Sequence, residues 1–73
     1  MNDYLRRQTC LIIEQKGEYL IGFNGVFLRW GNSPSDAWRT RDIDAANKVA
    51  DRFGGQIMLF NPVVMQLREY RGG

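Results

Sequence analysis

The reactive groups of this chain are few: eight carboxylates, ten cations, one thiol and no imidazole. Nucleophilic catalysis needs an activated nucleophile with a base in reach. The one thiol, Cys10, lies in the run Thr-Cys-Leu-Ile-Ile with no obvious base beside it. It reads as a small buried hydrophobe rather than a nucleophile. Asp36, Asp42, Asp44 and Asp51 fall at helix starts and on a helix surface, where capping accounts for them. They do not share a face, and a hard cation needs carboxylates that converge on one point. One cysteine without histidine cannot build a Cys/His zinc site or an internal disulfide, and the glycines match no phosphate-binding loop. The expectation is a protein that is not an enzyme, with no cofactor, no metal and no small-molecule substrate.

The cations say more. Eight of the ten are arginines, at 6, 7, 29, 39, 41, 52, 68 and 71. Arginine is favoured where planar donors meet carboxylate, phosphate or aromatic faces. The net charge of +2 is too small to imply nucleic acid by itself. Three arginines gather around the stretch WGNSPSDAWRT, which holds both tryptophans. Arg29, Trp30, Arg39 and Arg41 therefore form a candidate recognition edge for an acidic partner. The plainer reading is a solvated arginine surface, with Trp38 folded in as a corner plug of the core.

The elements that must carry these residues are legible from patterning. Thr9–Gln15 reads as a strand, and Lys16-Gly17 as a hairpin turn with glycine available for positive φ. Residues 19–24 return, Asn24-Gly25 turns again, and 26–30 form a third strand. Ser33-Pro34-Ser35-Asp36 has the order of a helix start, with a capping serine and then proline, and opens a single turn ending near Trp38. Thr40 reads as the cap of the main helix, with Asp42 and Asp44 in its first turn. Ile43, Ala46, Val49, Ala50 and Phe53 make its apolar stripe, and Gly54-Gly55 ends it. Residues 56–60 form a further strand, expected to pair with the first. Asn61-Pro62 interrupts it. Val63–Leu67 is left as a bent edge strand or a short helical turn, and Arg68 onward as disordered.

The expected fold is α+β: a small antiparallel sheet of three to four strands in β-β-β-α-β order, with one helix on one face. All of residues 1–73 form one domain, with a basic arm over 1–7, an ordered core over 8–60, an extra strand or turn over 61–70 and a disordered tail over 71–73. The opening MNDYLRRQTC has no long apolar run and no small-residue cleavage pattern, so it is not read as a signal peptide. No segment reaches the roughly 20 apolar residues of a membrane helix. A lone cysteine without an export signal fits a reducing cytoplasm.

Strand side chains alternate between faces, and here both faces are apolar. Leu11 and Ile13 oppose Cys10 and Ile12, while Ile57 and Leu59 oppose Met58 and Phe60. One helix covers one face. The other, assigned to Cys10, Ile12, Leu20, Met58 and Phe60, must be covered by something else or stand as an interaction surface. A second copy of the chain (a homodimer), another protein, or the chain's own arm or tail would each serve. A domain this small gains from such a staple.

Tyr19-Leu20, Trp30, Asp36-Ala37, Thr40, Ala46 to Ala50 and Gly54-Gly55 together resemble the pattern of small uncharacterised proteins of bacterial phages, prophages and conjugative elements. The resemblance spans 19–60, more than half the chain, and its pieces are caps, turns and core positions. It implies the same strand–helix order and, by analogy, a host protein as partner, with inhibition of a host-defence nuclease or modulation of transcription as candidate roles. The tail over 61–70 departs from the pattern. The leading expectation is a protein-binding module that uses the apolar face or the Arg/Trp edge. The alternative is nucleic-acid binding by sheet and loop aromatics beside Arg29, Arg39 and Arg41.

Overall fold

The computed structural model describes residues 7–24 and 27–70. The expected arm (save Arg7), the Gly25-Val26 part of the third strand and turn, and the tail over 71–73 lie outside them. Five strands form one antiparallel sheet, β1 (Cys10–Gln15), β2 (Glu18–Phe23), β3 (Leu28–Gly31), β4 (Gln56–Asn61) and β5 (Gln66–Glu69), in the order β3-β2-β1-β4-β5. The helix that precedes β4 in chain order, α1 (Ile43–Phe53), packs against β1 and β4. The fold is α+β, and the strand after the helix pairs with β1 across Cys10↔Phe60 to Glu14↔Gln56.

The element expected over 61–70 as an extra strand or turn is both: a turn followed by the fifth strand, β5. Asn61 Oδ1 accepts from the amides of Val63 and Val64, and Met65 takes φ 54. This side-chain-built turn reverses the chain at Asn61-Pro62, and β5 then pairs with β4 from Asn61↔Gln66 to Met58↔Glu69. Residues 68–70, expected to be disordered, are ordered: the Tyr70 amide donates to the Ile57 carbonyl at 3.1 Å, and its side chain packs, partly buried, against the core cluster of Leu11, Ile13 and Ala46.

Thr40 does not cap the helix. Asp42 does, its carboxylate accepting from the Asp44 amide at 2.9 Å, a contact generally worth about 1 kcal/mol. Thr40 is held elsewhere. Its backbone exchanges two hydrogen bonds with Leu11, at 2.8 and 3.0 Å, and the Trp38 amide donates to the Leu20 carbonyl at 2.8 Å. The β1–β2 hairpin is paired only at Glu14↔Tyr19 and Gln15↔Glu18, next to its Lys16-Gly17 turn. Beyond that the two strands part, and residues 38–40 lie between them.

The hairpin register also corrects one face assignment. Glu14 opposite Tyr19 puts the odd residues of β1 with the even residues of β2. Leu20 thus faces the helix with Leu11, Ile13 and Ala46, and not the side of Cys10 and Ile12. A register irregularity between Leu20 and Gly22 then changes the pairing with β3.

Both apolar faces are filled by the chain itself. On one, Leu11, Ile13, Leu20, Ile57 and Leu59 meet the stripe Ile43, Ala46, Val49, Ala50 and Phe53, with both tryptophans partly buried among them. On the other, Cys10, Ile12, Met58 and Phe60 pack with Ala37, and Tyr19 and Leu67 close the sides. Ala37 follows the 3-10 turn Pro34–Asp36, capped by Ser33 Oγ accepting from Ser35 N. The segment after β3 thus crosses the second face before it enters the gap between β1 and β2.

Candidate functional site

The five side chains read as an interaction face are buried by their own chain: Cys10 is 6% exposed, Ile12 and Leu20 0%, Met58 8% and Phe60 1%. They are core: Ala37 and its neighbours lie over Cys10, Ile12, Met58 and Phe60 on the face that the helix leaves open, and Leu20 packs on the helix side with Ala46. No open apolar sheet remains there for a partner.

The edge residues are divided by the fold. Arg29 and Trp30 lie on the outer strand β3, Arg29 exposed and Trp30 half-buried toward the helix. Trp38 is also in the interior, its ring edge-on to Phe23 at 5.4 Å. Arg39 and Arg41 lie on the inserted segment, on the β1 side of β2. Arg39 donates to the Ser35 carbonyl at 2.8 Å, and Arg41 donates to the carbonyl of Arg7. Both guanidiniums are anchored by neutral carbonyls, which do not compensate their charge, and neither pairs with a carboxylate among the described residues.

Two clefts open beside them. One, of about 400 Å³, is lined by Gln8, Cys10, Arg39, Thr40, Arg41 and Pro62. The other, of about 420 Å³, shares Cys10 and Arg41 and adds Arg7, Ile43, Leu59 and Tyr70. Antiparallel pairing puts the start of β1, the β2–β3 turn and the β4–β5 turn at the same end of the sheet. The exposed apolar side chains gather there as well: Phe27 (67%) and Leu28 on one turn, and Val63, Val64 and Met65 (49, 50 and 57%) on the other. With the inserted segment counted as a strand, the two turns are about 20 Å apart at the usual strand spacing. Arg39 and Arg41 lie between them.

No protein family, curated protein or solved structure matches the chain. The site is therefore argued from its own chemistry. Sequence patterning does not single out the apolar turns, because Val63-Val64-Met65 reads as a continuing strand or a helical turn. The available signal was a run of three apolar residues directly after a turn-forming Asn-Pro, where solvent exposure is anomalous unless it serves a purpose.

Burial pushes the Cys10 thiol above its ordinary value of 9.0, against an opposing pull from Arg39 and then Arg41. Its Sγ lies 3.3 Å from the Phe60 carbonyl, to which it donates. Below pH 9 the thiol is protonated whether the chain is folded or not. As pH rises past that value the unfolded chain releases the proton first, so this contribution to stability is lost. The wild type is expected to lose more stability than Cys10→Ala between neutral pH and pH above 9, read as the difference in urea midpoints. An identical pH dependence in both would place the thiol in water.

Proposed function

We propose that this chain is a non-enzymatic protein-binding module that docks through the loop end of its sheet. The single observation that carries the reading is the Val63-Val64-Met65 turn, three consecutive apolar residues each half exposed or nearly so. Phe27 and Leu28 extend the patch, and Arg39 and Arg41 centre it. Phenylalanine, methionine and arginine are residue types enriched at protein interfaces. Uncompensated guanidiniums favour a partner with acidic groups. This docking end replaces the apolar sheet face as the contact surface and keeps the arginines of the connector.

The resemblance to small mobile-element proteins supports a host protein as that partner, with inhibition or modulation of the host protein as the outcome, and the lone free Cys10 supports a reducing cytoplasm as the place of action. A homodimer through the same end is the competing occupant. Among the described residues no helix is long and apolar enough to cross a membrane. The nucleic-acid alternative is less favoured because Trp30, Trp38 and Phe60 pack in the interior, which leaves few rings for stacking bases.

The test compares the wild type with a Phe27→Asp, Val64→Asp double variant after both show the same thermal melt. Molar mass is measured across a concentration series, and a tagged form of each is used for capture. A defined host protein retained by the wild type and lost by the variant supports the proposal. Concentration-dependent dimerisation lost in the variant assigns the end to self-association instead. Equal behaviour of the two proteins, or oligonucleotide binding that depends on Arg29, Arg39 and Arg41, overturns it.

A further inference from the structure

We infer that the cleft bordered by Gln8, Cys10, Arg39, Arg41 and Pro62 is an oxyanion site, filled in the complex by an acidic group of the docked protein. This inference rests on the docking end proposed above and names the chemistry at its centre.

Arg39 and Arg41 both line one cleft of about 400 Å³. Their proximity is also felt at one buried point, since both lower the proton affinity of the same Cys10 sulfur. Like charges held together are unfavourable unless an anion lies within reach. The hydrogen bonds in place orient them without neutralising them: Arg39 to the carbonyl of Ser35, Arg41 to that of Arg7. Each guanidinium has five N–H donors in a planar fork, so one bond to a carbonyl leaves donors available to a ligand. The carboxylate of Asp42 is turned to the amide of Asp44 at the start of α1, where it serves as the helix cap. Thr40 fixes the spacing of the pair. Its backbone is tied to Leu11 on both sides, so the two arginines flank a rigid point rather than a free loop. Arginine paired with carboxylate or phosphate makes the short, charge-assisted hydrogen bonds that such an arrangement favours.

The full chain is titrated with acetate and, separately, with inorganic phosphate at constant ionic strength, and followed by amide and arginine Nε–H NMR. Saturable shifts confined to Gln8, Cys10, Arg39, Thr40 and Arg41 are expected. In Arg39→Gln, Arg41→Gln, whose fold is checked by its amide spectrum, the apparent affinity should fall at least tenfold. Comparable affinity for the two anions assigns the site to a carboxylate of the partner. Phosphate tighter by more than tenfold assigns it to a phosphorylated side chain. Linear, unsaturable shifts, or saturation unchanged in the double variant, overturn the oxyanion site. Neither anion requires a protein partner, and the Phe27 and Val64 comparison requires no anion, so each proposal fails or stands separately.

Discussion

Ile12→Lys is expected to unfold the chain. Ile12 is 0% exposed, on the central strand, with Cys10, Ala37, Met58 and Phe60 around it. An unpaired ammonium there costs several kcal/mol even after relaxation. A chain of 73 residues has about 4–11 kcal/mol in total, at the usual stability per residue. Far-UV circular dichroism at 25 °C should show mostly unfolded protein. Ile12→Ala, which removes volume without adding charge, should remain folded with a loss of about 2–5 kcal/mol in urea. A folded Ile12→Lys protein that had merely lost a partner would show that the second face is open after all. The same substitution thus separates a core face from a docking face, and the burial around Ala37 predicts which result appears.

Gly55→Ala is the second large effect. Gly55 has φ +141, and a Cβ there would lie 2.9 Å from the Glu14 carbonyl oxygen and 2.9 Å from Ile13 Cγ2. That backbone region is essentially restricted to glycine and strained by about 1–3 kcal/mol for other residues. The contact falls on the main chain of the central strand, which cannot yield without disturbing the β1–β4 ladder. Together the two effects are expected to cost about 2–5 kcal/mol. At about 4–8 °C per kcal/mol for a domain of this size, the melting point should fall by roughly 10–40 °C. Gly17→Ala is the control. Its φ is +83 but nothing lies within 4 Å of the added carbon, so only the left-handed backbone cost of about 1–2 kcal/mol applies. If the two variants melted together, the close approach of Gly55 to β1 would carry no weight.

Much of this architecture was legible from local patterning. The Lys16-Gly17 turn, the Ser33-Pro34 start, the Ile43–Phe53 stripe and the Gly54-Gly55 stop are each decided by residues near one another in sequence, and each is present. The misreadings share a different cause. Thr40 has the side chain of a helix cap, but its backbone is claimed by Leu11, 29 positions earlier by residue number. Leu20 was put on the wrong face because a register set at Glu14↔Tyr19 is not visible in alternation alone. After Asn61-Pro62 the composition leaves an edge strand and a helical turn both open, and the turn built on the asparagine side chain decides for the strand. In the candidate site, Arg39 and Arg41 were found by residue type. Their carbonyl anchors and the apolar turns beside them depend on which strand ends meet in space, and single-chain patterning does not supply that.

The segment lodged between β1 and β2 has a kinetic consequence. If the Glu14↔Tyr19 register ran on, Ile13 would meet Leu20 and Leu11 would meet Gly22, giving a complete hairpin from the first third of the chain. The native protein has instead an opened hairpin with Trp38 and Thr40 in the gap. A nascent chain can form the wrong, closed hairpin within microseconds, well before the ribosome supplies residue 40. On the other side, Cys10 waits for Phe60, 50 positions downstream. Contacts of such long span make slow folding steps. The centre of this sheet is thus made before the segments that complete it, and any closed hairpin formed in the interval must reopen before residues 38–40 can enter.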